Sequence, residues 1–277
     1  MKIAHEAPLQ ILRDVDKVTD YSYFLVHLFE ELPEYLKWAE EVVASGRESL
    51  LDNSIFELGV AFDSAKYAAW IKHLKPTYYI IPDCLEDKDQ TIANYNTFTE
   101  TYKDLPGKTI AVAQGKTYEE FVECYKYLEP KVDKIAISFD LSFFEDLFNN
   151  THAEFKDSAL VTRLDKLTLA RSILLKKMLK DGVINRNKKH HLLGCNLAWE
   201  FKLYQDKEQF AFIDSLDTSN PVVAGLQGKL YEEQVGGWGL TEKPREKLFT
   251  LMKDEISVEQ KQVILNNIQR FRDNIIA

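Results

Sequence analysis

The chain has 277 residues, 45% of them hydrophobic, which is enough to bury one α/β barrel core or two small ones. Its net charge of −9 at pH 7 argues against a uniformly basic polyanion-binding surface, and its longest apolar runs, such as Tyr78–Pro82, are far too short to span a bilayer. Cys84, Cys124 and Cys195 form no CxxC pair and have no histidine cluster nearby, which argues against a disulfide framework and a structural zinc site.

The N-terminal stretch MKIAHEAPLQ lacks the apolar centre of a signal peptide, and no Pro/Gly/Ser-rich linker interrupts the chain. The expectation is one cytoplasmic domain over 1–277, with no membrane contact. In chain order, strands are predicted at 2–6, 21–27, 49–53, 77–83, 109–114, 134–139, 191–195 and 210–216. Between them lie segments with apolar residues at three-to-four spacing, such as ELPEYLKWAEEVVASG, DSAKYAAWIKHL, DKDQTIANYNTFTETYKDL and TYEEFVECYKYLEP. Eight alternating units imply a parallel sheet closed as a (β/α)8 TIM-type barrel; an open doubly wound sheet is the competing architecture. The stretch VGGWGLTEKPREKLF then reads as a glycine-containing loop, with a tight turn at Trp238, leading into a helical extension over about 240–277.

Polar residues fall at the strand ends, where a barrel keeps its chemistry: Asp52 and Asn53, Asp83, Gln114 and Gly115, Ser138 and Asp140, Asn196, and Asp214 with Asp217. Helix capping is the plain reading of Asp140 and Asn196. Asp52 and Asp83 each follow an apolar run and precede more apolar residues, where a carboxylate is costly unless something uses it.

Residues 163–191 hold nine Lys/Arg against Asp165 and Asp181, a local +7 within an acidic chain. Lys176, Lys177, Lys180, Arg186, Lys188 and Lys189 are the candidate nucleic-acid contacts of this segment. A solvated helix face, opposite a buried stripe of Leu167, Leu169, Ile173, Leu174 and Leu175, is the alternative.

The ordered series LLDNSIFELG, IIPDCLED, IAVAQGKTYEEF, HLLGCN and FIDSLDTSNP resembles the strand-end motifs of tRNA-guanine transglycosylases. It is most similar to their smaller phage and bacterial relatives, which insert 7-deazaguanines into DNA. The resemblance spans about 49–225 and itself implies the barrel. It places Asp217 at the nucleophile and Asp214 at the structural aspartate before it. Asp52 falls on the acid/base aspartate of a DSGG segment, and Phe56 on the aromatic that stacks on the base. Asp83, Gln114 and Gly115 fall on the groups that read the purine edge, with Ser138 and Gly194 beside the pocket backbone. Asn53–Ile55 replaces the tail of DSGG, VVAG stands where the tRNA enzymes carry an arginine-containing segment, and their three-cysteine, one-histidine zinc motif is missing. These departures favour DNA over tRNA.

The chemistry so implied needs no cofactor and no metal. A carboxylate attacks the anomeric carbon to give a glycosyl-enzyme, and a second carboxylate, its pKa raised by burial, moves the proton. An acceptor such as Asp83 suits guanine's donor-rich edge, and Gln114 its carbonyl side. The alternatives are a hydrolase or transferase of free nucleosides using the same carboxylates, and a non-catalytic nucleic-acid-binding barrel.

Overall fold

A computed structural model describes residues 1–156, 158–233 and 255–276. Its strands are β1 (Lys2–Ala4), β2 (Ser22–Leu25), β3 (Ser49–Asp52), β4 (Tyr78–Ile80), β5 (Lys108–Val112), β6 (Lys134–Ser138), β7 (Lys189–Leu193) and β8 (Ile213–Asp217). The helices among the described residues are α1 (Leu12–Asp16), α2 (His27–Glu31), α3 (Pro33–Ala44), α4 (Ile55–Leu58), α5 (Ser64–Leu74), α6 (Lys88–Thr101), α7 (Tyr118–Leu128), α8 (Phe144–Thr151), α9 (Arg163–Lys180), α10 (Lys207–Phe210), α11 (Asn220–Leu226) and α12 (Val258–Ile276). The strands form one sheet in the order β1-β8-β7-β6-β5-β4-β3-β2. They run parallel, with Leu25 beside Asp52, Ile80 beside Ile110 and Ala4 beside Asp217. Eight parallel strands with helices between them are the (β/α)8 TIM-type arrangement expected from the alternation, and α12 is a C-terminal helix. The turn at Trp238 and residues 240–254 of the extension lie outside the described residues.

Local chemistry sets the helix starts. The side chains of Asp63, Asp87 and Thr117 accept the backbone N–H groups of Lys66, Gln90 and Glu120, satisfying donors that a helix start otherwise leaves open. Thr162 and Asp165 form a reciprocal capping box on α9. Asp206 accepts from Glu208 and Gln209, each at 3.0 Å, and so starts α10; this is why β8 begins at Ile213 and not at Phe210. Capping fails as the reading of Asp140 and Asn196. Helix α8 has Phe143 at its N-cap and the turn Ala198–Tyr204 has Leu197, neither with a side-chain cap bond.

The described chain contains two compact units, one of residues 1–20, 138–184 and 192–277, the other of residues 21–137 and 185–191. In the second unit, the Tyr67 hydroxyl on α5 lies 2.9 Å from both the Leu51 and the Ile80 carbonyl oxygens, a buried tie between β3 and β4. His190 is buried although polar: it stacks on Tyr125 at 5.7 Å, and its Nε2 lies 2.8 Å from the tyrosine hydroxyl. That distant partner carries β7 back to Lys189, before the apolar run at which the sequence suggests its start.

The first unit is organised around Arg171, a wholly buried guanidinium on α9. Its Nε donates to Glu200 at 2.7 Å, and its terminal nitrogens donate to the Leu193 and Gly194 carbonyls at 2.8 and 2.7 Å. Tyr204 donates to the same Glu200 oxygen at 2.7 Å. On the other side of this unit, buried Asn267 of α12 accepts from the Tyr231 N–H at 2.9 Å and donates to the Lys229 carbonyl at 2.8 Å.

Removing one member of a buried ion pair strands the other. Arg171→Met is expected to cost roughly 3–5 kcal/mol of stability, read from urea unfolding midpoints, and Arg171→Met/Glu200→Met to cost less than the single change. A single variant that melts with the wild type would show that the pair does not hold this unit.

Candidate active site

In the second unit Asp52 ends β3 and Asp83 follows β4, and each carboxylate has its own hydrogen-bond donors. Asp52 closes β3 and is buried; its Oδ2 accepts from the Tyr23 hydroxyl at 2.7 Å and its Oδ1 from the Ser54 N–H at 2.5 Å. Asn53 donates through Nδ2 to Asp83 Oδ1 at 2.8 Å and to the Ile81 carbonyl at 3.2 Å, while its Oδ1 accepts from the Ile55 N–H at 3.0 Å. Gln114, after β5, donates through Nε2 to Asp83 Oδ2 at 2.8 Å and accepts the Glu86 N–H on Oε1 at 3.1 Å.

Asp83 is 2% exposed, so water does little for its charge. Burial pushes its pKa up, and the hydrogen bonds from Asn53 and Gln114 pull against that rise. A carboxylate has about four acceptor sites, and Asn53, Gln114 and the Asp83 backbone N–H donate to this one, so acceptor capacity remains. Both ends of the Gln114 amide are engaged, which makes Gln114 a positioning group for Asp83 in this structure.

The neighbouring backbone explains two further residues. Ser54 sits at φ 60°, in the left-handed region that favours glycine. Serine holds this turn, and its hydroxyl accepts the His27 N–H at 3.4 Å. A Cβ on Gly115 would lie 2.5 Å from the Phe121 nitrogen, so this glycine is required by the close approach of α7. Phe56 stands on α4 and is 43% exposed.

In the first unit Asp217 is the last residue of β8 and is buried. Asp214, three positions earlier in the strand, points to the opposite face. Thr218 ties the chain after Asp217 in place: its carbonyl lies 2.6 Å from His5 Nδ1, and its hydroxyl lies 3.0 Å from Cys195 Sγ and accepts the Asn220 N–H at 3.1 Å. Asn196 accepts from Asn220 Nδ2 at its carbonyl, at 3.1 Å. Ser138 ends β6 and accepts the Asp140 N–H at 3.2 Å. Gly194, at φ 60°, faces the Phe139 ring, which a Cβ would meet at 2.6 Å. Its carbonyl is the one Arg171 holds.

The basic candidates divide. Lys176, Lys177 and Lys180 are exposed on α9 in the first unit, with Lys177 paired to Asp181 at 2.8 Å. Arg186, Lys188 and Lys189 belong to the second unit and sit at or before the start of β7. Parallel strands put them at the opposite end from Asp52, Asp83 and Gln114. Lys188 is also engaged, donating to the Val132 carbonyl at 2.5 Å with Glu129 3.8 Å away.

Tyr23, His5 and the Arg171–Glu200 pair are site or support residues that the sequence reading does not single out. Tyr23 has an ordinary place in the alternation of β2, which gives no signal of its bond to Asp52. His5 and Arg171 gain their roles from partners on distant segments. No protein-family model matches the chain, and no curated protein matches it.

His5 carries a pH dependence. Burial lowers its pKa from 6.5 to about 4, against the opposing pull of the Thr218 carbonyl and Asp217. Its Nδ1 donates to Thr218, and its buried Nε2 has no hydrogen-bond partner among the described residues. The unfolded chain takes up a proton near pH 6.5 and the folded chain only near pH 4, so stability falls as pH drops through that window, by about 3 kcal/mol in all. His5→Gln is expected to flatten urea midpoints measured between pH 7 and pH 4; an unchanged pH slope would refute the assignment.

Proposed function

We propose that the chain is a guanine transglycosylase that exchanges guanine for a 7-deazaguanine base in DNA. The observation that carries this reading is Asp83, a buried carboxylate fixed by two amide donors at adjacent strand ends, with acceptor capacity left over. Guanine presents N1–H and an exocyclic amine on one edge, a donor array that such a carboxylate matches. The motif resemblance supplies the reaction.

An oxygen of Asp217 attacks C1′ of the deoxyribose, the C1′–N9 bond breaks, and its electron pair leaves with guanine. Asp52 delivers the proton that guanine takes up. The incoming 7-deazaguanine gives up a proton to Asp52 and attacks C1′ through N9, releasing Asp217. Tyr23 and the Ser54 N–H orient Asp52 for this work, and Asn53 and Gln114 orient Asp83. One glycosidic bond is broken and one made, so the exchange balances without an external energy source.

Asp217→Asn keeps the side-chain volume and removes the nucleophile. It is expected to lower the incorporation of isotope-labelled guanine into duplex DNA by roughly 10⁴-fold or more, with an unchanged circular dichroism spectrum. Incorporation at the wild-type rate would remove the covalent mechanism. Asp83→Ala leaves two buried amides without their acceptor and guanine's edge unread, and is expected to cost about 2–4 kcal/mol in kcat/KM for the base. Release of free guanine from deoxyguanosine, with no incorporation into DNA, would favour a nucleoside hydrolase instead.

A further inference from the structure

Two grooves lie side by side on the first unit, and the reaction above uses neither. The first, about 660 Å³, runs between the end of α8 and the second half of α9, with Lys176, Lys177 and Lys180 on its wall beside His152 and Leu169. Lys176 and Lys180 have no ion pair among the described residues, whereas Lys177 is matched by Asp181. The second groove, about 420 Å³, is walled by Phe148, Phe155, Leu160 and Trp199 and again by His152 and Leu169. Phe155 is 45% exposed and Leu160 90% exposed, so this apolar surface faces water. His152 and Leu169 line both, which makes them one continuous track with a cationic half and an aromatic half.

We propose that this track binds a single-stranded segment of nucleic acid, its phosphates on the lysines and its bases against Trp199 and Phe155. A cationic groove next to stackable rings suits a chain of alternating phosphates and aromatic bases. A duplex hides its base faces and would use only the cationic half. An acidic peptide would do the same, and a lipid surface would meet Asp165 and Asp181 at the grooves' edges. The proposal rests on the reading of DNA as substrate but concerns a surface separate from the strand-end acids of its own unit.

The test is fluorescence anisotropy of the full chain with a labelled dT15, with an abasic backbone of equal length, and with a duplex of equal length, each at two salt concentrations. Stronger binding of dT15 than of the abasic strand, by roughly ten-fold or more, is expected, with both weakened by salt. Trp199→Ser and Phe155→Ser should lower dT15 affinity toward the abasic value and leave the abasic affinity unchanged. Lys176→Glu/Lys180→Glu should weaken both. Because Phe155 is partly exposed already, its variant keeps the test valid should Trp199→Ser unfold. Equal binding of dT15 and the abasic strand, preference for the duplex, or indifference to all three changes would overturn the proposal. Base exchange measured on the same proteins separates the two readings. Exchange with no strand binding sinks the track alone, and strand binding with no exchange sinks the transglycosylase reading alone.

Discussion

A carboxylate withdrawn from water must be given donors, and the donors recruited by Asp83 fix the ends of three neighbouring strands. Asn53 reaches it from the end of β3 and Gln114 from beyond β5, while Tyr67 binds the carbonyls of β3 and β4 from the helix side. Each donor also serves the backbone, since Asn53 sets the first turn of α4 and Gln114 holds the Glu86 N–H. The network therefore couples the Asp83 carboxylate to local structure. A change at Asn53 disturbs the acid, the first turn of α4, which carries Phe56, and the Ile81 carbonyl together, so effects of neighbouring substitutions will not add.

The first unit meets the same requirement with the opposite charge. Arg171 is buried as a cation because Glu200 and two carbonyls saturate it, and those carbonyls belong to the segment that leaves β7. His5 takes the other available route and stays neutral. In each unit, taken by itself, polar groups near the strand ends are held by partners from segments remote in the chain, which fixes their positions.

The fold was largely legible in the sequence because a parallel strand covered on both faces is a run of apolar residues and an outer helix is periodic. The misplaced boundaries have specific causes. Phe210 looks like a strand residue until Asp206 is seen to cap a helix over it, and His190 looks like a loop residue until Tyr125 is found against its ring. Asp52, Asp83 and Gln114 stood out as polar residues following apolar runs, and in the structure Gln114 donates to Asp83. Tyr23 was hidden by its ordinary place in an alternating strand. Asn53 and Gln114 could be located by position, but their service to Asp83 is a matter of distance that no local pattern encodes. The run of basic residues was visible as charge, yet which end of the strands each residue occupies depends on where β7 starts.

Ser54 bears on how a turn is read from a sequence. The turn after β3 asks for a left-handed dihedral angle, and glycine is its cheapest occupant. Serine fills it here at a cost on the order of 1 kcal/mol, partly offset by the hydrogen bond from His27. A left-handed position is thus a demand on the torsion before it is a demand on the letter. Chains that carry glycine, asparagine or serine at such a point can share the turn, so a change of letter there is not by itself a change of shape.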